Sequence, residues 1–369
     1  MSPSETAASI APSETNESAE SLARLEALRA ARDAYLKENP KSRARNAAQA
    51  LGMSEAQLAA LDLGAGAVRL GTDWNAMLQA VESMGEVMAL TRNEACVHEK
   101  HGVYRNFEQE AGSPVALFVD EKIDLRIFLR SWAFGFAVET PAPGGKGDPR
   151  RSVQFFDAAG QAVHKIYMTA KSDLDAYRAF VERFAAPEQD ALLPEAPPAR
   201  PKPAETPDAQ IDREAFLAEW GALQDTHDFF GFLRNAGVTR TQALRLAEGT
   251  FTRRVSGDAA RRSLQLAAST ETPVMVFVGN PGCIQIHTGP VSRLLEHGPW
   301  YNVMDPEFNL HLNETAIEQA WVVRKPSVDG DVTSLEVFDG DGEVIAQVFG
   351  KRKPGIPELQ AWREIAAQL

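Results

Sequence analysis

The chain has 369 residues, a formal net charge of −13 and an apolar fraction of 44%, enough for two domains or one body built from two similar units with sizeable cores. The acidic balance argues against a general nucleic-acid binder, which needs a basic surface to displace counterions, and no run of ~18 apolar residues is present to span a membrane. Two cysteines, Cys96 and Cys283, are too few for a disulfide framework and fit a reducing, cytoplasmic compartment.

Residues 1–20 are rich in Ser, Ala and Glu with no apolar h-region, so they read as a disordered tail and not as a secretory signal. Leu22, Leu25, Leu28 and Tyr35 fall near a 3.6-residue period and predict a helix over 21–38, ended by Asn39-Pro40. A second helix over 41–51 is closed by Gly52. Ser54 and Gln57 then have the spacing of a capping box. A further helix is expected over 74–84. Apolar runs at 86–90, 95–99, 115–119 and 132–139, broken by Gly, Asn and Pro, predict strands. Residues 153–156 and 163–168 suggest a hairpin around Asp157-Ala158-Ala159-Gly160, and a helix follows over 172–184. The stretch from Pro187 to Pro207 holds seven prolines and reads as an extended, semi-rigid linker.

After the linker the same order restarts. Val87-Met88, Asn93, Cys96 and Gly102 match Val274-Met275, Asn280, Cys283 and Gly289 at a shift of 187; 125–141 matches 310–326 at a shift of 185. Ser152, Phe156, Asp157 and Gly160 match Ser334, Phe338, Asp339 and Gly342 at a shift of 182, and Thr239 with Gln242 repeats the capping box. The expected fold is therefore α+β: a tandem structural repeat, each half a large antiparallel sheet with flanking helices, related by a pseudo-twofold axis. The expected domains are 21–186 and 210–369, with 187–209 as linker. The match breaks at a few polar positions. Arg126 faces His311, Tyr167 faces Phe349, His164 faces Ala346, and His227 has no histidine counterpart near Arg43. Such breaks suit one asymmetric ligand; drift is the plainer explanation for any single one.

Several candidate motifs fail on spacing. His98 and His101 are three residues apart in strand-like sequence, which puts the rings on opposite faces and not on one metal. Gly279-Asn280-Pro281-Gly282 lacks the Lys-Ser/Thr and helix of a phosphate loop. Cys96 and Cys283 read as small core side chains. No nucleophile elbow, dinucleotide fingerprint or paired catalytic carboxylates stand out. His227, between Asp225 and Asp228 at the start of an aromatic helix, is a candidate iron ligand, although a lone helical histidine is more often an ordinary surface or core residue. Arg240, Arg324-Lys325 and Lys351-Arg352-Lys353 could hold the carboxylates of a flat apolar dianion, or simply form a solvated basic face.

The runs Val87-Met88-Ala89-Leu90-Thr91-Arg92-Asn93-Glu94, Ile123-Asp124-Leu125-Arg126-Ile127-Phe128, Asp225-Thr226-His227-Asp228-Phe229-Phe230, Val276-Phe277-Val278-Gly279-Asn280 and Arg324-Lys325-Pro326 carry a resemblance. From about residue 22 to the C-terminus the chain resembles the bacterial hemin-degrading factor family, the cytoplasmic haem-utilisation (hemin transport) proteins. The resemblance implies haem as cofactor, with no separate metal ion, and His227 as proximal iron ligand. It implies that Arg126 reaches over the distal side, that Phe128, Phe230 and Phe277 wall the pocket, and that Arg240, Lys325 and Arg352 hold the propionates or rim. Phe349 stands where some relatives carry tyrosine, and Thr241 where relatives carry glutamine.

The resemblance leaves two functions open. One is a cytoplasmic haem-binding protein that traffics imported haem and takes part in its degradation for iron release, with a haem importer and a haem oxygenase as partners. The other is a haem-degrading, oxygenase-like enzyme in which Arg126 is catalytic, supplied with electrons by a reductant or nicotinamide donor. A scaffold that has lost the ligand is a third reading, and it predicts no haem binding.

Overall fold

The computed structural model of the protein describes residues 13–142, 147–198, 202, 204–353 and 355–369. The first half contains helices α1 (Ser13–Glu38), α2 (Ala44–Ala50), α3 (Glu55–Ala60), α4 (Trp74–Ala80) and α5 (Leu174–Phe184). Its strands are β1 (Ala67–Leu70), β2 (Gly85–Arg92), β3 (Cys96–Gly102), β4 (Phe107–Glu108), β5 (Val115–Val119), β6 (Asp124–Phe128), β7 (Phe134–Thr140), β8 (Arg150–Phe156) and β9 (Ala162–Ser172). The second half repeats the order with α6 (Arg213–Gly221), α7 (Phe229–Ala236), α8 (Arg240–Leu246), α9 (Ala259–Ser269) and α10 (Gln360–Gln368). Its strands are β10 (Thr252–Val255), β11 (Val274–Asn280), β12 (Cys283–Gly289), β13 (Leu294–His297), β14 (Trp300–Asp305), β15 (Phe308–Asn313), β16 (Gln319–Lys325), β17 (Val332–Phe338) and β18 (Val344–Gly350).

The strands form two nine-stranded antiparallel sheets, as the α+β repeat requires, but the halves exchange strands. The first sheet runs β1-β7-β8-β9-β2-β3-β15-β14-β13 and the second β10-β16-β17-β18-β11-β12-β6-β5-β4. Each repeat therefore lends a three-stranded meander to the other's sheet. The graft is anchored by matched bonds: Phe128 N–H donates to Gly282 O at 3.0 Å, and Asn313 N–H to Ala95 O at 2.8 Å. The two repeats are contiguous in sequence, but the division between them is not a division in space.

The inner faces of the sheets meet in apolar cores. Leu125, Ile127 and Phe118 of the lent meander pack with Val87, Ala89 and Ile166, and in the other half Leu310, Leu312 and Tyr301 pack with Val274, Val276 and Val278. This exchange of apolar surface, not the linker, ties the halves together. Asn93 and Asn280 add a reciprocal clamp. The Asn93 amide donates to Gly279 O (3.1 Å) and Ile345 O (2.8 Å), and the Asn280 amide to Arg92 O and Val163 O (both 2.9 Å).

Helix termini follow the sequence signals with two differences. Ser54 accepts from Gln57 N–H at 3.2 Å and the Gln57 side chain accepts from Ser54 N–H at 2.8 Å, a complete capping box. In the second copy Thr239 caps Gln242 N–H at 3.1 Å, but the Gln242 amide donates instead to Thr206 O and Asp208. A linker segment has taken over that side chain. Gly52 and Gly237 both lie past their helices at φ 66° and 65°, left-handed conformations that glycine adopts without strain. The second difference is at the N-terminus: α1 starts at Ser13, inside the stretch expected to be a tail, while residues 1–12 lie outside the described residues. Among the described residues no helix is long and apolar enough to cross a membrane.

Candidate functional site

Strand register shows which side chains share a face. Arg126 is opposite Ile284, Ile284 opposite Gly279, Phe277 opposite Gln347, Gln347 opposite Glu336, and Glu336 opposite Trp321. In a pleated sheet these directly paired residues point the same way. Trp321, Val323 and Phe338 of that face are buried under α6, α7 and α8, against Trp220, Phe229, Phe232 and Leu244. Those helices cover β16 and β17. Beyond them the same face continues through Phe277, Met275, Ile284, Phe128, Leu117 and Phe349, all half-buried. Phe277 and Phe349 contact each other with ring centroids 4.9 Å apart. The result is an apolar floor with a helical wall at one side.

His227 stands on the wall. It lies in a single 3-10 turn, Thr226–Asp228, that leads into α7. Aromatic packing fixes α7: Phe229 lies 4.7 Å from Trp220 and Phe232 4.9 Å from Phe216, centroid to centroid. The turn points its histidine outward, with the side chain 87% exposed. Asp225 caps the turn by accepting His227 N–H at 2.8 Å, and the same Oδ1 is 2.6 Å from ring Nδ1. A carboxylate only accepts, so Nδ1 carries the hydrogen, and in the neutral tautomer this selects, Nε2 is the nitrogen with the free lone pair. Those hydrogen bonds from His227 hold the Asp225 carboxyl below its ordinary range. Arg352 adds to this effect and lies 3.8 Å from Asp329. Val328 N–H donates to Gln224 O at 2.9 Å and joins the 326–331 loop to the same wall.

Arg126 projects from the floor, with its guanidinium donating to Asp124 and to Leu125 O. Burial pushes the Asp124 carboxyl up while Arg126 opposes it. Phe128 and Phe277 share this floor. Phe230, expected as a wall, is 72% exposed, and Val328 of the 326–331 loop is 75% exposed.

The other two expected cations are engaged by a residue that sequence reasoning missed. Glu336 is fully buried. It accepts Arg240 Nε at 2.8 Å and Nη2 at 2.9 Å, Lys325 Nζ at 2.7 Å and Ser334 Oγ at 3.0 Å. Both cations lie over the Phe229 ring, Lys325 at 4.5 Å and Arg240 at 5.6 Å from its centroid. Burial drives the Lys325 ammonium down to about 8, and Arg240 and Lys325 hold the Glu336 carboxyl far below the carboxylate range against its own burial. The missed signal is a lone glutamate in the otherwise apolar and small run Val332–Phe338. Arg240 also borders a cavity of about 560 Å³ together with Phe277, Ile284 and Gln347. The matched pairs Asn93/Asn280, Asp157/Asp339 and Val163/Ile345 line that cavity too, so it lies on the pseudo-twofold axis.

The arrangement can take a flat apolar ligand, with an imidazole nitrogen at one side, a guanidinium at the other and cations at the edge. Comparison with known proteins is consistent with this geometry. The haemin-degrading HemS.ChuX domain matches residues 52–184 and again 237–369. The chain belongs to the haemin-degrading HemS/ChuX family. The hemin transport protein HmuS of Yersinia pestis is 41% identical over 336 residues, 90% of this chain and 94% of its own. The crystal structure of holo-PhuS, a heme-binding protein from Pseudomonas aeruginosa, superposes with a TM-score of 0.90 at 48% identity, over 93% of this chain and 98% of that one. The structure of ChuS, described as an E. coli heme oxygenase, gives a TM-score of 0.80 at 37% identity over 89% and 96%.

Within this HemS/ChuX frame the histidines excluded from the site behave as strand residues. His98 is fully buried and His101 half-buried, on opposite faces of β3. Cys96 and Cys283 are both buried. His164, the polar partner of Ala346, lies in the inner core with Nε2 on Tyr104 OH at 2.5 Å and Nδ1 on Thr91 Oγ1 at 2.8 Å. None of these belongs to the floor or wall.

Proposed function

We propose that this chain is a cytoplasmic haem-binding protein of haem uptake, which traffics imported haem and takes part in its degradation for iron release. The observation that carries the reading is the His227–Asp225 pair. It offers an exposed, tautomer-fixed Nε2 beside an apolar floor bearing Arg126. A neutral imidazole braced by a carboxylate is a common proximal haem ligand, and the brace raises its basicity.

The residues present fit haem. Phe277, Ile284, Phe128 and Phe349 would hold its apolar ring body, and Arg240 at the edge of the floor would pair with a propionate. Bound haem would supply an iron with one face free for small ligands. Arg126, on the sheet side, would donate hydrogen bonds to such a ligand, and Asp124 restrains its guanidinium. The exposed apolar side chains of Phe230 and Val328 suit a carrier, because they offer a contact to a haem importer or an oxygenase.

The alternative is that haem degradation is the main role. It draws support from Arg126, which is placed to stabilise negative charge, and from the relative ChuS, described as a heme oxygenase. Haemin-loaded protein mixed with ascorbate in air, with catalase present, separates the two. A Soret band that persists until an oxygenase is added supports trafficking. Decay to bile-pigment absorption without one makes degradation the main role. Failure to bind haemin overturns both.

A further inference from the structure

The two sheets end differently at equivalent strands. The outer edge of β1 is covered by the chain that leaves α5. Gly71 N–H donates to Phe184 O and Ala186 N–H to Arg69 O, both at 2.8 Å. The Gln189 carboxamide closes the pairing: its oxygen accepts Arg69 N–H at 2.8 Å, and its nitrogen donates to Arg69 O at 3.0 Å. Leu70 is opposite Ala185 in the antiparallel sense. The covering segment carries Glu188 and Asp190.

Strand β10 matches β1 at a shift of 185 and keeps the register on its inner neighbour, with Arg69 opposite Phe136 and Arg254 opposite Trp321. Phe251 O accepts Arg324 N–H from β16 at 2.8 Å, so the alternation of an antiparallel ladder turns the Arg254 backbone outward. There the cover is missing. Arg254 N–H and C=O and Ser256 N–H, the counterparts of the bonded groups at Arg69 and Gly71, have no hydrogen-bond partner among the described residues, and both residues are exposed.

This edge is cationic on both faces. Arg253 shares the face of Val322 beneath α10, where its Nη2 donates to Ala366 O at 2.8 Å. Arg254 is on the opposite face, 5.9 Å from the centroid of the Trp321 ring. Among the described residues neither is paired with a carboxylate. A groove of about 590 Å³ beside the strand is lined by Phe251, Arg253, Arg324, Arg363 and Ala366. Arg324 and Arg363 are already neutralised, by Asp331 and Glu358 at 2.9 Å. Arg253 and Arg254 are left as the free charges of the edge.

We infer that β10 is a docking edge for an extended, acidic segment of a partner protein, which adds to the second sheet antiparallel as 184–189 adds to the first. Backbone hydrogen bonds hold such a strand, and its alternate side chains reach the Arg253 groove on one face and Arg254 on the other. A second copy of this chain is the poorer occupant, because two β10 strands paired with each other would set arginine against arginine.

The test uses the full-length protein and a labelled synthetic peptide that copies residues 184–193, Phe-Ala-Ala-Pro-Glu-Gln-Asp-Ala-Leu-Leu. Two altered peptides are compared with it: one with Glu188→Gln and Asp190→Asn, and one N-methylated at Ala186, which removes the N–H that would donate to Arg254 O. The protein variant is Arg253→Gln/Arg254→Glu, with thermal melts to confirm folding; the altered peptides decide the question if it does not fold. Fluorescence anisotropy is expected to show one peptide bound per chain. Loss of the acids, of the N–H or of the arginines is expected to weaken binding about tenfold or more. At saturation, amide exchange at Arg254 and Ser256 slows at least about tenfold while the β13 edge is unchanged. The inference is overturned if no saturable binding is seen up to millimolar peptide, if binding ignores all three changes, or if those two amides stay unprotected. A dimer in sedimentation that already protects them, and that the arginine variant disperses, also overturns it by assigning the edge to a second copy.

Discussion

Asp225 Oδ1 serves both ends of His227, accepting the backbone N–H at 2.8 Å and meeting ring Nδ1 at 2.6 Å. One carboxylate thus shapes the turn and selects the tautomer. Asp225→Asn keeps the size but loses the charge, and its amide can rotate a donor toward Nδ1. Haemin affinity is expected to fall by about 10–100-fold, with the fold retained. Spectroscopic titration checks this; native affinity in the variant would leave Asp225 with the capping role only.

Arg126 is tied to Asp124 and Leu125 O rather than free. Arg126→Ala is expected to leave haemin bound through His227 but to weaken retention of anionic ligands such as azide, about tenfold for one lost charge-assisted hydrogen bond of ~1.5 kcal/mol. Azide titration of the haemin complex measures this. Identical azide affinity would remove Arg126 from the distal side.

Glu336 holds Arg240 and Lys325 from a fully buried position. Glu336→Ala leaves two cations facing each other in the interior and is expected to cost about 3–5 kcal/mol of stability. Urea denaturation reports the loss. A change below ~1 kcal/mol would mean that water replaces the carboxylate, which its complete burial argues against.

Three buried imidazoles set the response to acid. Burial pushes His164 and His287 down to about 3, and His98 well below its ordinary value, helped by His287 and the nearby Lys100. Asp305 acts on His287 in the opposite sense. In the unfolded chain these rings take up protons below about 6.5, so the unfolded state binds more protons than the native state between about 6.5 and 3. Stability is therefore complete above about 6.5 and is lost as the pH falls toward 3, by up to ~1.4 kcal/mol per pH unit for each ring. Urea midpoints between pH 7 and pH 5 should decline. A constant midpoint would contradict the burial of these rings.

Much of this architecture was legible in the sequence because it rests on local rules. Val115–Val119 forms the expected strand, Ser54 and Gln57 the expected capping box, and the matched segments the expected repeat. The strand exchange was not legible, because β6 and β15 have the same apolar alternation whichever sheet receives them. The choice is made by long-range pairing with β12 and β3. Helix α9 escaped notice, its apolar positions being mostly alanine, at 259–260 and 267–268. At the site, His227, Arg126 and the floor phenylalanines could be named from the resemblance. That Glu336 binds two of the named cations follows only from the register that brings β17 beneath α8.

The most direct measurement is a titration of sub-stoichiometric haemin into the native protein and into His227→Ala, read in the Soret region. Haemin below one equivalent reports the tightest site alone. The account predicts a saturable, sharpened band in the native protein and its loss or marked shift in the variant at the same concentrations. Superimposable spectra and affinities would contradict the assignment of His227 as the iron ligand.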